Sequence, residues 1–404
     1  MRFSNSMNLD AMEQRLLFAK APVFAVSNLV SDLAAVLPAT HVDAHLVNGW
    51  GIAAGPGTEQ WVANNGSGKV TLYDGAGTVD SLVITVPGPG GTGQSLPTGQ
   101  VYNGTSDFEV SSGKPAQFIF ASEDGTISAW SPSQADITTA VIKVDNSSSG
   151  ATYRGLATDT FNGKNFLLAT NDGTGKIDVF DSKFQPAHLN GSFKDAKIPA
   201  NYEPFGIQNV NGLIYVTYAP KSIYEGQTPA GSGYIDVFLP DGSLDHRLVK
   251  RGTLNSPWGV ARIPGGFGKF KRDIAVGNFG DGRIQVFDPL SGEFRGFFRK
   301  SSNNKPVKID GLWGLDFGND GPAGSSSDMY FTAGPNDEST GLFGKISIAK
   351  PKTASSVSTP PPTNPGGYVY PQSASAASTQ LFGQSSVDDK CDHTADTAID
   401  TSVT

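Results

Sequence analysis

The sequence predicts an all-β protein, a six-bladed β-propeller made of four-stranded antiparallel blades. Two observations predict this fold. A short strand pattern recurs at intervals of about 50 residues, which is typical of one propeller blade. The 404 residues also include 49 glycines and 26 prolines, a composition that favours short strands and turns over long helices. A single blade leaves its sheet faces exposed, whereas six blades packed in a closed ring bury them.

The repeat is clearest in a strand that follows a glycine turn and carries an aromatic residue. Its copies occupy residues 66–74, 125–130, 175–181, 233–238 and 282–288, with a looser sixth copy at 344–349. The aromatic positions are Tyr73, Trp130, Phe180, Phe238 and Phe287. We interpret these rings as interblade core rather than as ligand contacts, since each would contribute roughly 1.5–3 kcal/mol through burial.

Two more strands precede each copy. An entry strand begins at a glycine, as in the residues that follow Trp50, Tyr153, Phe205, Trp258 and Trp313. In the second repeat the entry pattern is irregular, and we assign it to residues 115–118. A second strand then starts at Gln60, Phe118, Phe166, Ile214, Asp273 and Met329. These runs are short, rich in β-branched and aromatic residues, and bounded by Gly, Asn or Asp, as strands are.

The chain divides into three predicted regions. Residues 1–21 are expected to be a leader related to export, residues 22–350 the propeller, and residues 351–404 a disordered tail rich in Ser, Thr and Pro. The segment 23–30 is apolar and precedes the first repeat. We expect it to join the last blade alongside residues 342–349 and so close the ring.

Composition excludes several partners. The net charge is −8 and no block of Lys and Arg stands out, so a nucleic-acid partner is not expected. No apolar run reaches the length of a membrane helix, so no integral membrane segment is expected. The single cysteine, Cys391, allows no intrachain disulfide and is expected to be a free thiol. A monomer is expected.

Two resemblances concern export. Residues 12–18 resemble the Leu-Glu-Pro-Arg-x-Leu-Leu motif near the N-termini of many exported bacterial proteins, with Gln14 in place of the proline. Motifs beginning at Asn28, Val47, Phe120, Leu254, Val276 and Tyr330 resemble an uncharacterised family of exported bacterial proteins that look like NHL-type propellers. Some members of that family carry a PEP-CTERM sorting tail, which this chain lacks. The resemblance spans about residues 27–348 and implies a propeller at the cell surface or outside the cell, without implying an activity.

A candidate metal site follows from the propeller prediction. Loops that enter the first strand and loops that join the second and third strands open on one face, around the axis. The second set is rich in carboxylate and amide oxygens, which suit Ca²⁺, and its candidate ligands are Asn64, Glu123, Asp172, Asn278 and Asp337. The alternative is structural, because tight turns need Asn-Gly and Asp-Gly pairs whatever the function.

A candidate ligand site involves Trp50, Trp258 and Trp313, which stand beside entry glycines. These rings are placed to line the mouth of the axial channel and stack on a sugar or another flat ligand, or else to wedge between neighbouring blades. His41 and His45 lie close to Asp43 in a stretch that leads into a strand, and the other three histidines are isolated, so none of the five is expected to be a ligand. No serine-nucleophile elbow, zinc-protease motif or phosphate-binding loop is present.

These observations favour an exported binding or interaction module whose ligand is a glycan or a protein. The alternative is a metal-dependent propeller lyase or lactonase with its site at the top of the central channel, where Glu123, Asp172 and Asp337 would supply carboxylates. That alternative rests on analogy between propellers. Whether the protein is an enzyme stays open at this point.

Overall fold

Twenty-six strands are present in the computed structural model, which describes residues 22–221 and 228–349. β1 (Phe24–Ser31) and β2 (His41–Val42) precede the first blade. Blade 1 contains β3 (Gly49–Ala53), β4 (Gln60–Asn64), β5 (Lys69–Tyr73) and β6 (Ile84–Thr85). Blade 2 contains β7 (Pro97–Tyr102), a side hairpin of β8 (Glu109–Ser111) and β9 (Lys114–Pro115), and then β10 (Phe118–Ser122), β11 (Thr126–Trp130) and β12 (Val141–Asp145).

Blade 3 is formed by β13 (Tyr153–Phe161), β14 (Lys164–Asn171) and β15 (Lys176–Asp181). Blade 4 is formed by β16 (Tyr202–Val210), β17 (Leu213–Pro220), β18 (Tyr234–Phe238) and β19 (Leu244–Lys250). Blade 5 is formed by β20 (Pro257–Arg262), β21 (Ile274–Asn278), β22 (Ile284–Phe287) and β23 (Phe294–Phe297). Blade 6 is formed by β24 (Leu312–Phe317), β25 (Asp328–Ala333), β26 (Leu342–Ile348) and β1. Short 3-10 turns lie at Pro89–Gly91, Ser147–Ser149, Asp172–Thr174 and Gly268–Phe270.

The ring closes through the N-terminal strand, as the sequence predicted. β1 runs antiparallel to β26, with a register from Phe24 opposite Ile348 to Ser31 opposite Leu342. β2 adds a short parallel strand on the outer side of β1. The Phe24 ring stacks on Phe298 of blade 5 at 4.2 Å between centroids. The first described strand therefore packs with the last two blades and joins the two ends of the repeat.

The prediction of a six-bladed propeller is confirmed, with two local differences. The inner strand of blade 2 is β7, with Gly99 as its entry glycine, and residues 114–115 belong to the side hairpin. The assignment of this strand to residues 115–118 is wrong, because a long insertion that carries the side hairpin separates β7 from β10. Blade 3 has three strands, since the chain leaves its outer edge after a single bridge between Phe180 and Pro186.

Six hydrophobic cores lie between successive blades. One joins blades 1 and 2 through Trp61 and Phe118, whose rings stack at 3.9 Å; the others occupy the five remaining interfaces. The five repeat aromatics predicted as core are all at least 97% buried, which confirms that prediction. No helix among the described residues is long and apolar enough to cross a membrane.

The inner strands approach one another closely at the entry glycines. A Cβ atom built on Gly51 would lie 2.3 Å from the Thr98 carbonyl of the next blade, and one on Gly206 would lie 2.1 Å from the Trp258 carbonyl. A Cβ atom on Gly99, Gly259 or Gly314 would likewise lie 2.6 Å from a backbone atom of the next blade, and one on Gly155 would lie 3.0 Å from such an atom. These glycines are required because the blade-to-blade distance at the axis leaves no space for a side chain. The predicted leader, tail and Cys391 lie outside the described residues.

Candidate functional site

Each blade contributes two equivalent positions around the axis at one end of the ring. The first is the residue before the entry glycine: Trp50, Thr98, Arg154, Phe205, Trp258 and Trp313. The second is the residue that follows the second strand: Asn65, Glu123, Asp172, Lys221, Phe279 and Gly334. Repetition of the blade brings these residues together although they are far apart in sequence. The two sets are aromatic on one side of the axis and polar on the other.

The aromatic side is a plug of stacked rings. Trp50 lies on Trp313 at 3.7 Å between centroids, and Phe279 lies on Trp313 at 4.1 Å. Trp258 and Phe205 meet Trp313 edge-on at 5.9 and 5.8 Å. Inside the ring, at the level of the entry glycines, the axial cavity holds only about 30 Å³, the room of about one water molecule.

The three tryptophans singled out from the sequence therefore do converge on the axis. Their exposed fractions are 2% for Trp50, 9% for Trp258 and 1% for Trp313. Most of each ring is covered by the other members of the plug, so packing accounts for their position. Stacking on a bound ligand stays a prediction for these residues.

Asn48 ties the plug to the polar side. Its Oδ1 accepts hydrogen bonds from the indole N–H groups of Trp50 and Trp313, both at 3.1 Å. Its Nδ2 donates to Glu338 Oε2 at 2.8 Å and to Asn65 Oδ1 at 3.3 Å. Asn48 is 2% exposed and has a φ of 49°, so a single buried amide in a left-handed conformation orients both tryptophans.

The hydrogen bonds continue from blade 1 to blade 4. Asn65 Nδ2 donates to Glu123 Oε2 at 2.9 Å. Arg154 donates from Nη1 to the other oxygen of Glu123 and from Nε to Asp172 Oδ2, the latter at 2.9 Å. Glu203 shares a hydrogen bond with Asp172. We call this set the axial polar network; its members are Asn48, Asn65, Glu123, Arg154, Asp172, Glu203 and Glu338.

Charge in the network is nearly balanced at its centre. The Arg154 guanidinium bridges Glu123 and Asp172 and lies 5.5 Å from the Trp50 ring centroid. The pKa of Glu203 is raised to about 8: burial raises it most, the hydrogen bond and negative charge of Asp172 also raise it, and the positive charges of Lys221 and Arg154 lower it. Glu203 thus carries a proton at neutral pH and can donate it in a hydrogen bond to Asp172.

Glu338 is the second carboxyl with a perturbed pKa. Burial raises this pKa, the hydrogen bond from Asn48 lowers it, and the negative charge of Glu123 raises it. The residue belongs to a strained turn in which Asn336, Asp337 and Glu338 have φ values of 55°, 52° and 63°. Non-glycine residues rarely occupy this region, and such strain is often found at functional sites.

The predicted metal ligands separate into two groups. Glu123 and Asp172 reach the axial polar network. Asn64 and Asn278 point into their own blades, where Asn64 Nδ2 donates to Thr71 Oγ1 at 2.9 Å and Asn278 Nδ2 donates to the Thr253 carbonyl at 3.1 Å. Their successors in sequence, Asn65 and Phe279, take the axial positions because consecutive strand side chains alternate in direction. Asp337 is exposed, and its neighbour Glu338 makes the network contact.

A bound cation would compete with Arg154. The guanidinium already lies between the two predicted carboxylate ligands and supplies the positive charge there. Across residues 22–221 and 228–349, no three His, Cys, Asp or Glu side chains are grouped to hold a metal ion. The donor set therefore gives the Ca²⁺ prediction no further support, and that prediction stays to be tested by titration.

Sequence reasoning missed five members of the network. Asn48, Asn65, Arg154, Glu203 and Glu338 were not among the candidates. A signal for Arg154 was present, because it stands directly before an entry glycine where four other blades have an aromatic residue. No comparable signal marks Glu203, whose proximity to Asp172 depends on the curvature of the ring.

The fold and the axial site define a six-bladed β-propeller with a closed channel and a polar axial face. No family model matches the chain. It is 34% identical over 325 residues to uncharacterized protein R648 of Acanthamoeba polyphaga mimivirus, covering 76% of each chain. It is 32% identical over 326 residues to uncharacterized protein L690 of the same virus, covering 76% of this chain and 82% of the relative. The chain belongs to the family of these viral proteins.

Solved structures with a similar backbone fold have much lower sequence identity to this chain. A streptogramin B lyase is 13% identical with a TM-score of 0.47, covering 81% of this chain and 97% of the lyase. A PQQ-bound aldose sugar dehydrogenase from Streptomyces coelicolor is 12% identical with a TM-score of 0.47, covering 81% of this chain and all of the dehydrogenase. At these levels the similarity says nothing about activity.

Proposed function

We propose that the protein is a binding module that recognises a hydroxyl-rich ligand, a glycan, on its axial polar network. The observation that carries the proposal is the continuous set of amides, carboxyls and one guanidinium that spans blades 6, 1, 2, 3 and 4 at one end of the ring. Groups of these kinds donate and accept hydrogen bonds together, as sugar hydroxyls require. Arg154, Glu123 and Asp172 keep about a fifth of their side-chain surface exposed, so a ligand can reach them.

The closed channel favours recognition at the surface over chemistry inside the ring. A substrate-sized pocket has a volume of about 300–1,000 Å³, and the cavity on the axis has about 30 Å³. A ligand would therefore lie on the outer face of the network, above the aromatic plug. A protein partner would use the same face, and binding of a protein but of no glycan would redirect the proposal.

A glycan array tests the proposal with the full chain and two matched variants. Asp172→Asn removes a network carboxylate, whereas Asp181→Asn changes a carboxylate in a turn of the same blade that bonds only to nearby backbone N–H groups. We expect specific glycan signals that Asp172→Asn weakens by about tenfold or more and Asp181→Asn leaves unchanged. Absence of signal for the unmodified chain, or equal loss in both variants, would refute glycan recognition.

Export is the second part of the proposal. It is supported by the motif at residues 12–18 and by the resemblance to exported bacterial propellers, whereas the matching relatives are viral. Fractionation of cells that express the tagged full chain measures it directly. We expect the protein outside the cytoplasm, and retention in the cytoplasm both with residues 1–21 intact and with them deleted would reject export.

A second candidate function is an enzyme, the metal-dependent lyase or lactonase considered from the sequence. One observation favours enzymatic chemistry: a carboxyl with a pKa of about 8, Glu203, lies beside Asp172, as an acid–base pair would. Assays on a panel of lactones and uronates, with and without Ca²⁺, test this candidate. Turnover that Glu203→Gln abolishes without lowering the melting temperature would support it, and no turnover in any condition would exclude these substrates.

A further inference from the structure

The outer edge of blade 3 is an incomplete sheet. β15 pairs with β14 on its inner side, but outside it the Ala187 N–H bonds to the Val179 carbonyl and the chain then turns away. Backbone groups alternate along a strand, so the N–H and C=O of Ile177 and the N–H of Val179 point outward as well. No hydrogen bond to these three groups is present among the described residues. In blades 1, 2, 4 and 5 a fourth strand occupies this edge.

A groove of about 830 Å³ runs along this edge, and every residue from 174 to 180 lines it. Its opposite wall comes from the segment 186–202 and from blade 4, and includes the buried Phe193 and the partly buried Leu189 and Ile198. Tyr218 also lines the groove, is 5% exposed, and its buried hydroxyl has no hydrogen-bond partner among the described residues.

The charge along the groove is positive. Lys176, Lys194 and Lys221 line it, are exposed, and form no ion pair with any of the described residues. Of the two acids beside them, Asp195 pairs with Arg247, whereas Asp178 accepts hydrogen bonds only from the neutral groups of Tyr153 and Asn171 and keeps its charge. Three exposed ammonium groups against one free carboxylate leave the groove with a net positive charge around an apolar floor.

We propose that this groove binds an extended acidic peptide, which adds a fourth strand to blade 3. The outward N–H and C=O of Ile177 and the outward N–H of Val179 would bond to the peptide backbone, as in other cases of strand addition. Alternate side chains of the peptide would enter the apolar groove, and the acidic ones between them would meet Lys176 and Lys194. The site is distinct from the axial polar network proposed above, although Lys221 borders both.

Fluorescence anisotropy of labelled peptides as long as β15 tests the proposal. One peptide alternates valine and glutamate, a second has lysine in place of glutamate, and a third is the first peptide with its backbone nitrogens N-methylated at alternate positions. We expect saturable binding of the first, weakened by added salt, and binding that is about tenfold weaker or more for each of the others. Equal binding of the three peptides, or no binding of the first, overturns the proposal.

Variants of the protein locate the site. Lys176→Glu with Lys194→Glu reverses the charge of the groove, and the control pair, Lys164→Glu with Lys183→Glu, makes the same charge change elsewhere on the same blade. We expect the first pair to lose the acidic peptide and the second to retain it. If the protein with the first pair of substitutions still binds the acidic peptide, the assignment of the site is refuted. A dimer in sedimentation experiments that the acidic peptide does not dissociate also refutes it.

Discussion

The strongest test of the axial polar network is Arg154→Gln. The substitution keeps most of the side chain but removes the charge that bridges Glu123 and Asp172 and lies over the Trp50 ring. Two hydrogen bonds to charged groups are each worth about 1.5–3 kcal/mol, and the cation–π contact adds roughly 0.5–1 kcal/mol. Because the three charged side chains remain about one-fifth exposed, we take the lower end of each range and expect a loss of about 3.5 kcal/mol in the free energy of unfolding.

Urea unfolding at pH 7 measures this loss, and a matched ion pair supplies the control. Arg295 bonds to Asp288 and Glu293 with 39% of its side chain exposed, so Arg295→Gln should lower the free energy of unfolding far less than Arg154→Gln does. Asp172→Asn completes a double-mutant cycle with Arg154→Gln and should show a coupling free energy above about 1 kcal/mol. A loss below about 0.5 kcal/mol for Arg154→Gln, or additive effects in the cycle, would refute the reasoning.

Three further predictions concern charge, packing and metal binding. Asp159 is 3% exposed, neither of its carboxylate oxygens has a well-formed hydrogen bond among the described residues, and burial, opposed by the Thr160 backbone N–H, raises its pKa from 3.8 to about 6. Because the folded state holds the proton more tightly, stability falls as pH rises from about 4 through 6. Asp159→Asn should therefore gain about 2–3 kcal/mol at pH 8 and almost nothing at pH 4 in urea titrations. Gly51→Ala places Cβ 2.3 Å from the Thr98 carbonyl and should lower the free energy of unfolding in urea by at least about 2 kcal/mol. In the control Gly57→Ala the new Cβ meets nothing within 4 Å, so the free energy of unfolding should change by less than about 0.5 kcal/mol. Similar values for the two variants would contradict the close approach of the inner strands. Ca²⁺ at about 1 mM, a concentration that would fill most protein sites, should leave the melting temperature of the unmodified chain unchanged. It should raise the melting temperature of Arg154→Gln, in which Glu123 and Asp172 no longer bond to a guanidinium. A rise in the unmodified chain would instead support the ligands predicted from sequence.

The candidate site was predicted only in part, and the reason is the direction of single side chains. The loops that supply the axial face were identified correctly, and within them Glu123 and Asp172 reach the network. Asn64 and Asn278 each lie one residue before the position that faces the axis, and their side chains point into their own blades. A shift of one residue reverses the direction of a strand side chain, and the point at which each strand ends is not visible in the sequence.

The sequence by itself determined the number of blades, the aromatic residues between them and the strand that closes the ring. These features repeat, and a repeated pattern of short apolar strands has one stable arrangement in a closed ring. The tertiary structure alone decided that the channel is closed, because six entry glycines bring the inner strands into contact. It also decided which residues share the axial face and left the edge of blade 3 open. Such features depend on where the backbones of different blades meet, and no local pattern in the chain encodes those distances.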